Sequence, residues 1–115
     1  MLDKNTNPLN LKDPDLLRNQ GLIGGTWCDA DDGGTLEVNN PATGEIIGTT
    51  PLMGAAETRR AIEAAKAAMP AWAGKTAKER ANILRKWNDL LLENTDDLAK
   101  IMTVEMGKPL AEAKG

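Results

Sequence analysis

The longest amphipathic pattern in the chain runs from Thr76 to Gly107 and predicts two helices separated by a break near Asn94 and Thr95. Ile83, Leu84, Trp87, Leu90 and Leu91 fall at i, i+1, i+4, i+7 and i+8, a single apolar stripe at the helical period. Lys78, Glu79, Arg85, Lys86, Asp89 and Glu93 lie mostly off that stripe. Thr76 with Glu79 three residues later forms a capping box, in which the hydroxyl takes an orphan amide and the carboxylate reaches back to the cap. Thr95 reads as a second cap, with Asp96 and Asp97 in the first turn, where the helix dipole favours carboxylates. Leu98, Ile101 and Met102 extend an apolar face. Gly107 then supplies a left-handed stop, and Pro109 stands where a first helical residue needs no amide hydrogen, so a third helix begins at Leu110.

Upstream the period shortens. Leu22-Ile23, Gly24-Gly25 and Thr26-Trp27 spell a small hairpin, because paired glycines accept the positive φ angles of a two-residue turn. Thr35 to Val38 alternates, Glu45 to Thr50 is β-prone, and the intervening Asn39 to Gly44 is dense in turn formers, which predicts strand, turn and strand. Ala61, Ile62, Ala65, Ala68 and Met69 recur at helical spacing and predict a helix from Ala55 to Met69, with Pro70 disfavouring helix at the residue before it. Asp13-Pro14-Asp15 predicts a cap and one short helical turn. Met1 to Lys12 is polar with isolated leucines and is expected to be an extended or mobile arm unless another surface pins it. The organisation expected is an arm with one helical turn over 1–20, a hairpin and strand pair over 21–53, and a helical segment over 54–115.

Composition narrows the picture. At 115 residues the chain is the size of one domain, yet it has no Phe and no Tyr, and much of its apolar count is alanine. A thin core that wants a partner surface follows. A net charge of −3 with both signs interleaved lacks the concentrated basic face that nucleic acid requires. No run approaches 20 apolar residues and the N-terminus has no apolar leader core, so a cytoplasmic protein that does not enter membranes is expected.

Chemistry is sparse. Cys28 is the one thiol; with Asp29 beside it and no histidine in the chain, it reads as a half-buried strand-end residue rather than a nucleophile. Gly24-Gly25 and Gly33-Gly34 belong to no phosphate-binding pattern, and Gly107-Lys108 lacks the upstream glycine of a P-loop. Asp31-Asp32, Asp96-Asp97 and Glu105 are most economically loop, dipole partners and exposed helix face. Trp72 and Trp87 have no basic frame for stacking nucleotides, which leaves packing. The residues alone specify an α+β piece and no reaction.

Three stretches, LIGGTW at Leu22 to Trp27, NPATGEIIG at Asn40 to Gly48 and EMGKPLAEAKG at Glu105 to Gly115, resemble the N-terminal region of NAD(P)-dependent aldehyde dehydrogenases, in the family's order and spacing. Within that family DLLRNQGLIGGTW, TAKERANILRKWNDLL and GKPLAEAKG look most like bacterial succinate-semialdehyde dehydrogenases. The resemblance implies an α/β aldehyde dehydrogenase-like fold of which this chain is only the N-terminal α+β piece, truncated at Gly115. It implies oxidation of succinate semialdehyde to succinate with NAD or NADP by a full-length tetrameric enzyme, the remainder of the subunit being this chain's partner. The family's cysteine nucleophile, activating glutamate and oxyanion-holding asparagine have no counterpart here, so no catalytic, cofactor-binding or metal residue is carried over, and the chain alone is expected to bind no cofactor and turn over no substrate. Val38 and Asn39 are faint candidates for the backbone cation site of some members. The competing expectation is a non-catalytic helical interaction module derived from the same scaffold, which should have replaced the apolar stripe after Thr76 with polar residues.

Overall fold

A computed structural model describes residues 7–115. A 3₁₀ turn at Pro14–Leu16 precedes strands β1 (Gly21–Ile23), β2 (Thr26–Cys28), β3 (Thr35–Asn39) and β4 (Ile46–Pro51). Helices α1 (Ala55–Ala73), α2 (Ala77–Glu93), α3 (Thr95–Met106) and α4 (Leu110–Ala113) follow. The described residues divide into two units, one made of 7–19, 35–50 and 94–115, the other of 20–34 and 51–93.

The first unit carries the principal apolar cluster. Leu9, Leu11 and Ile47 are buried together, and Leu17, Val38, Ile101 and Val104 pack around them. Residues 7–12 are therefore pinned rather than mobile, and the surface that pins them belongs to the same unit; the rest of the expected arm, residues 1–6, lies outside the described residues. Asn7 turns the segment by accepting from Leu11 N at 2.9 Å and donating to Leu11 O at 2.8 Å. Two amides further on are taken by Asp97, whose Oδ1 accepts from Lys12 N at 3.0 Å and Oδ2 from Asp13 N at 2.8 Å. The β3–β4 pair is closed by Gly44 N donating to Asn40 O at 2.8 Å and Asn40 N to Glu45 O at 2.9 Å. At the end of α3 Gly107 has φ 78° and ψ 12°, the left-handed stop expected from its position, and α4 begins at Leu110. Its cap is Pro109, one residue outside the helix proper. The cap of α3 is likewise displaced: Asn94 holds that place, and Thr95 is the first helical residue.

In the second unit β1 and β2 pair antiparallel with Leu22 opposite Trp27 and Ile23 opposite Thr26. Gly24 and Gly25 lie at φ 59° and 80°, the two positive angles that a twist-matched hairpin turn demands. Gly21 permits close packing, since a Cβ there would stand 2.8 Å from Met53 Cε. α1 departs from expectation at its end, running through Pro70 to Ala73. Proline removes one helical hydrogen bond at a cost of about 3 kcal/mol when the loss is uncompensated. Here the helix resumes at once, with Gly74 N donating to Pro70 O at 2.9 Å, and Lys66, whose carbonyl would have received the missing bond, is exposed to water. The capping box of α2 forms as its sequence implies, Glu79 N donating to Thr76 Oγ1 at 3.2 Å and Thr76 N to Glu79 Oε2 at 2.7 Å. No residue of α2 is buried.

Candidate functional site

Two features stand out once the local structure is in place: an apolar helix side open to solvent, and carboxylates committed to backbone amides. The first follows from the stripe on α2. Its spacing puts Ile83, Leu84 and Trp87 on one side of the helix, where they are 46, 50 and 62% exposed. Leu90 and Leu91, on the same side one and two turns on, are also exposed. Apolar residues at this spacing form the buried stripe of an ordinary surface helix. Here the stripe is complete and uncovered. On the other helix of this unit, Ala61, Ala64 and Ala68 meet Leu22, Gly24 and Gly25 of the hairpin across an open groove of about 360 Å³.

The second feature was not read from the sequence. Glu57, in the first turn of α1, is buried; its Oε2 accepts from Gly54 N at 3.0 Å and its Oε1 from Asp31 N at 3.0 Å. These amides, with Asp31 N foremost, hold its carboxyl below the ordinary range. Asp31 in turn receives both guanidinium nitrogens of Arg60, at 2.7 and 2.8 Å, and that bidentate pairing lowers the Asp31 pKa and raises that of Arg60. In the other unit the amides of Asp13 and Lys12 lower the Asp97 pKa, while Asp96 is lowered chiefly by Lys114 Nζ at 2.8 Å. These groups tie loops to helices. The Gly54-x-x-Glu57 spacing was a legible capping signal; the reach of Asp97 across 84 residues had none.

The residues singled out in the sequence fall into place around these features. Cys28 ends β2 half-buried, its Sγ donating to Gly21 O at 3.5 Å across the hairpin. Val38 packs on the Leu9–Ile47 cluster, and Asn39 Nδ2 donates to Gly44 O at 3.2 Å. Asp32 closes its own turn by accepting from Gly34 N at 2.8 Å. Among the described residues no group of three or more Cys, Asp and Glu is placed to hold a metal ion, and no helix is long and apolar enough to cross a membrane.

A match to the family model described as aldehyde dehydrogenase spans residues 27–115. The chain belongs to the aldehyde dehydrogenase family. Glutarate-semialdehyde dehydrogenase of Pseudomonas aeruginosa is 67% identical over 93% of this chain and 22% of its own length. The NADP-dependent succinate-semialdehyde dehydrogenase of Escherichia coli is 57% identical over the same shares. The crystal structure of succinate-semialdehyde dehydrogenase from Burkholderia pseudomallei superposes with a TM-score of 0.90 at 65% identity, covering 92% of this chain and 22% of that one. The chain thus has the fold of the N-terminal piece of an α/β dehydrogenase and spans about a fifth of the length of the relatives it matches.

The starts of α1, α2 and α3 offer no seat for the pyrophosphate of a nicotinamide dinucleotide, the oxidant of this enzyme family. A pyrophosphate wants a glycine-rich turn opening onto bare amides at a helix N-terminus. The glycine pair at Gly24-Gly25 opens onto a strand, and the first turns of α1, α2 and α3 already hold Glu57, Glu79 and Asp96-Asp97. Each would repel a phosphate.

Proposed function

We propose that this chain is the N-terminal scaffold of a semialdehyde dehydrogenase that oxidises succinate semialdehyde to succinate with NAD or NADP, and that the 115-residue chain by itself catalyses no turnover. In the overall reaction an aldehyde and water give a carboxylate, hydride passing to the nicotinamide and two protons to solvent. The observation that carries this reading is the combination of 57 to 67% identity to ω-carboxylate semialdehyde dehydrogenases with an apolar stripe retained on α2. An autonomous interaction module would have exchanged Leu84 and Trp87 for polar residues; their presence supports a scaffold.

Substrate length has a second reading. Two Pseudomonas glutarate-semialdehyde dehydrogenases share 67 and 64% identity with the chain, which supports a substrate one methylene longer. A pocket distinguishes one methylene by about 10- to 200-fold. The test is kcat/KM for the four- and five-carbon semialdehydes, with each cofactor, on a subunit of family length carrying this sequence. A preference for succinate semialdehyde supports the first reading, a preference for the longer substrate replaces it, and activity on neither refutes both. Separately, the 115-residue chain incubated with succinate semialdehyde and NAD or NADP should give no reduced cofactor above a protein-free blank.

A further inference from the structure

We propose that Asp32 is a site of spontaneous covalent modification: its carboxyl condenses with the Gly33 amide to a succinimide that water opens to isoaspartate, a substrate there for a carboxyl methyltransferase using S-adenosylmethionine. The inference concerns the loop before β3 and is independent of the dehydrogenase reading.

Three observations carry it. Asp32 is the one aspartate or asparagine of the sequence followed by glycine, whose amide has no neighbouring side chain to shield it from the attacking geometry. Both residues are exposed, and a Cβ placed on Gly33 would meet nothing within 4 Å, so water and an enzyme can reach the bond. The turn supplies the third. Asp32 Oδ1 accepts from Gly34 N at 2.8 Å, closing a ring that encloses the Gly33 amide, and the bond polarises the carboxyl that the amide nitrogen attacks. The opposing tie is Gly33 N donating to Ala30 O at 2.9 Å. The neighbouring acids lack the combination: Asp29 precedes buried Ala30, and Asp31 precedes Asp32 and is held by both guanidinium nitrogens of Arg60.

The reaction starts from the protonated carboxyl. A bond forms between the Gly33 nitrogen and Asp32 Cγ, the C–OH bond breaks, and the hydroxyl leaves as water with the amide proton. One water then adds back: opening at Cγ restores aspartate, and opening at the main-chain carbonyl gives isoaspartate. The methyltransferase moves a methyl from the sulfonium to the freed carboxylate, leaving S-adenosylhomocysteine. Isoaspartate puts one extra methylene into the backbone between two anchors, Asp31 N on Glu57 Oε1 and Leu52 N on Gly34 O, and removes the oxygen that accepted from Gly34 N.

The test holds the 115-residue chain for weeks at 37 °C in mildly acidic buffer, then assays it folded with an isoaspartyl methyltransferase and labelled S-adenosylmethionine. Methyl acceptance should rise several-fold over fresh protein. Peptide mapping with electron-transfer fragmentation should place at least about ten-fold more isoaspartate at Asp32 than at Asp29 or Asp31, glycine being the least hindered neighbour. Asp32→Glu, which would have to close a larger imide ring, should abolish the acceptance. Asp32→Asn keeps an oxygen for Gly34 N and releases ammonia instead of water, a faster reaction, so it should accumulate isoaspartate sooner than the parent chain. Far-UV circular dichroism confirms that both variants keep their helices. Isoaspartate spread evenly over the three aspartates, methyl acceptance that survives Asp32→Glu, or an Asp32→Asn chain that stays intact would each overturn the site. Isoaspartate at Asp32 that takes no methyl in the folded chain would overturn the assignment of the enzyme.

Discussion

Replacing Gly107 by alanine offers a quantitative check on the geometry that turns α3 into α4. The residue sits at φ 78° and ψ 12°, and its amide closes the helix onto Thr103 O at 2.8 Å. An L side chain in this region brings Cβ against the following carbonyl, at about 1–2 kcal/mol. A Cβ would also lie 3.4 Å from Pro41 Cγ, an ordinary contact that adds little. Against the strain stands the lower entropy of the unfolded alanine chain, about 0.4–1 kcal/mol in the variant's favour. The net loss is about 1 kcal/mol, or roughly 5 °C in Tm for a unit of this size. Gly107→Asn, whose short amide tolerates the left-handed region, should lose less than half as much. Urea and thermal unfolding followed at 222 nm on the three proteins measures both differences. A neutral alanine variant, or an asparagine variant worse than alanine, would refute the assignment of the cost to backbone handedness.

Core and surface substitutions should separate sharply. Leu11, 5% exposed inside the Leu9–Ile47 cluster, should cost about 2–3 kcal/mol as Leu11→Ala, the low end for a buried leucine because the cluster is small, whereas Ile62→Ala on the exposed side of α1 should stay within about 0.5 kcal/mol; equal effects in urea titrations would contradict the burial described. Acid should weaken the fold through Asp97 and Glu57. Their folded-state values lie below the ordinary 3.8 and 4.5, so the folded chain binds fewer protons than the unfolded one; their contribution is full above those ordinary values and is lost as pH falls through the lowered ones. Tm should be flat from pH 7 to 5 and fall below about pH 4, and Asp97→Asn should flatten part of that fall; a Tm that rises on acidification, or an unaltered profile in the variant, would show that these carboxylates are not held by the amides.

Much of the local structure was written in short windows of sequence. The Gly24-Gly25 turn, the Thr76–Glu79 box and the Gly107 stop each depend on residues within four positions of one another, and all three formed as their chemistry requires. Pro70 shows where such windows mislead: proline disfavours helix at the residue before it, yet α1 runs on through Pro70 to Ala73, and the carbonyl that loses its helical donor belongs to exposed Lys66. The family likeness was legible for the same reason, as runs of contiguous residues.

What only the tertiary structure decided are the pairings across long separations. Nothing near Leu9 or Leu11 in the chain marks them as core, because their burial is set by Ile47, Ile101 and Val104, and the carboxylate that receives the neighbouring amides comes from Asp97, 84 residues away from Asp13. Periodicity established which side of α2 is apolar; it could not say whether that side was covered, since covering depends on atoms distant in sequence. Local hydrogen bonding and backbone handedness are properties of neighbouring residues and survive in a linear string, whereas burial is a property of whatever else the folded polypeptide brings alongside.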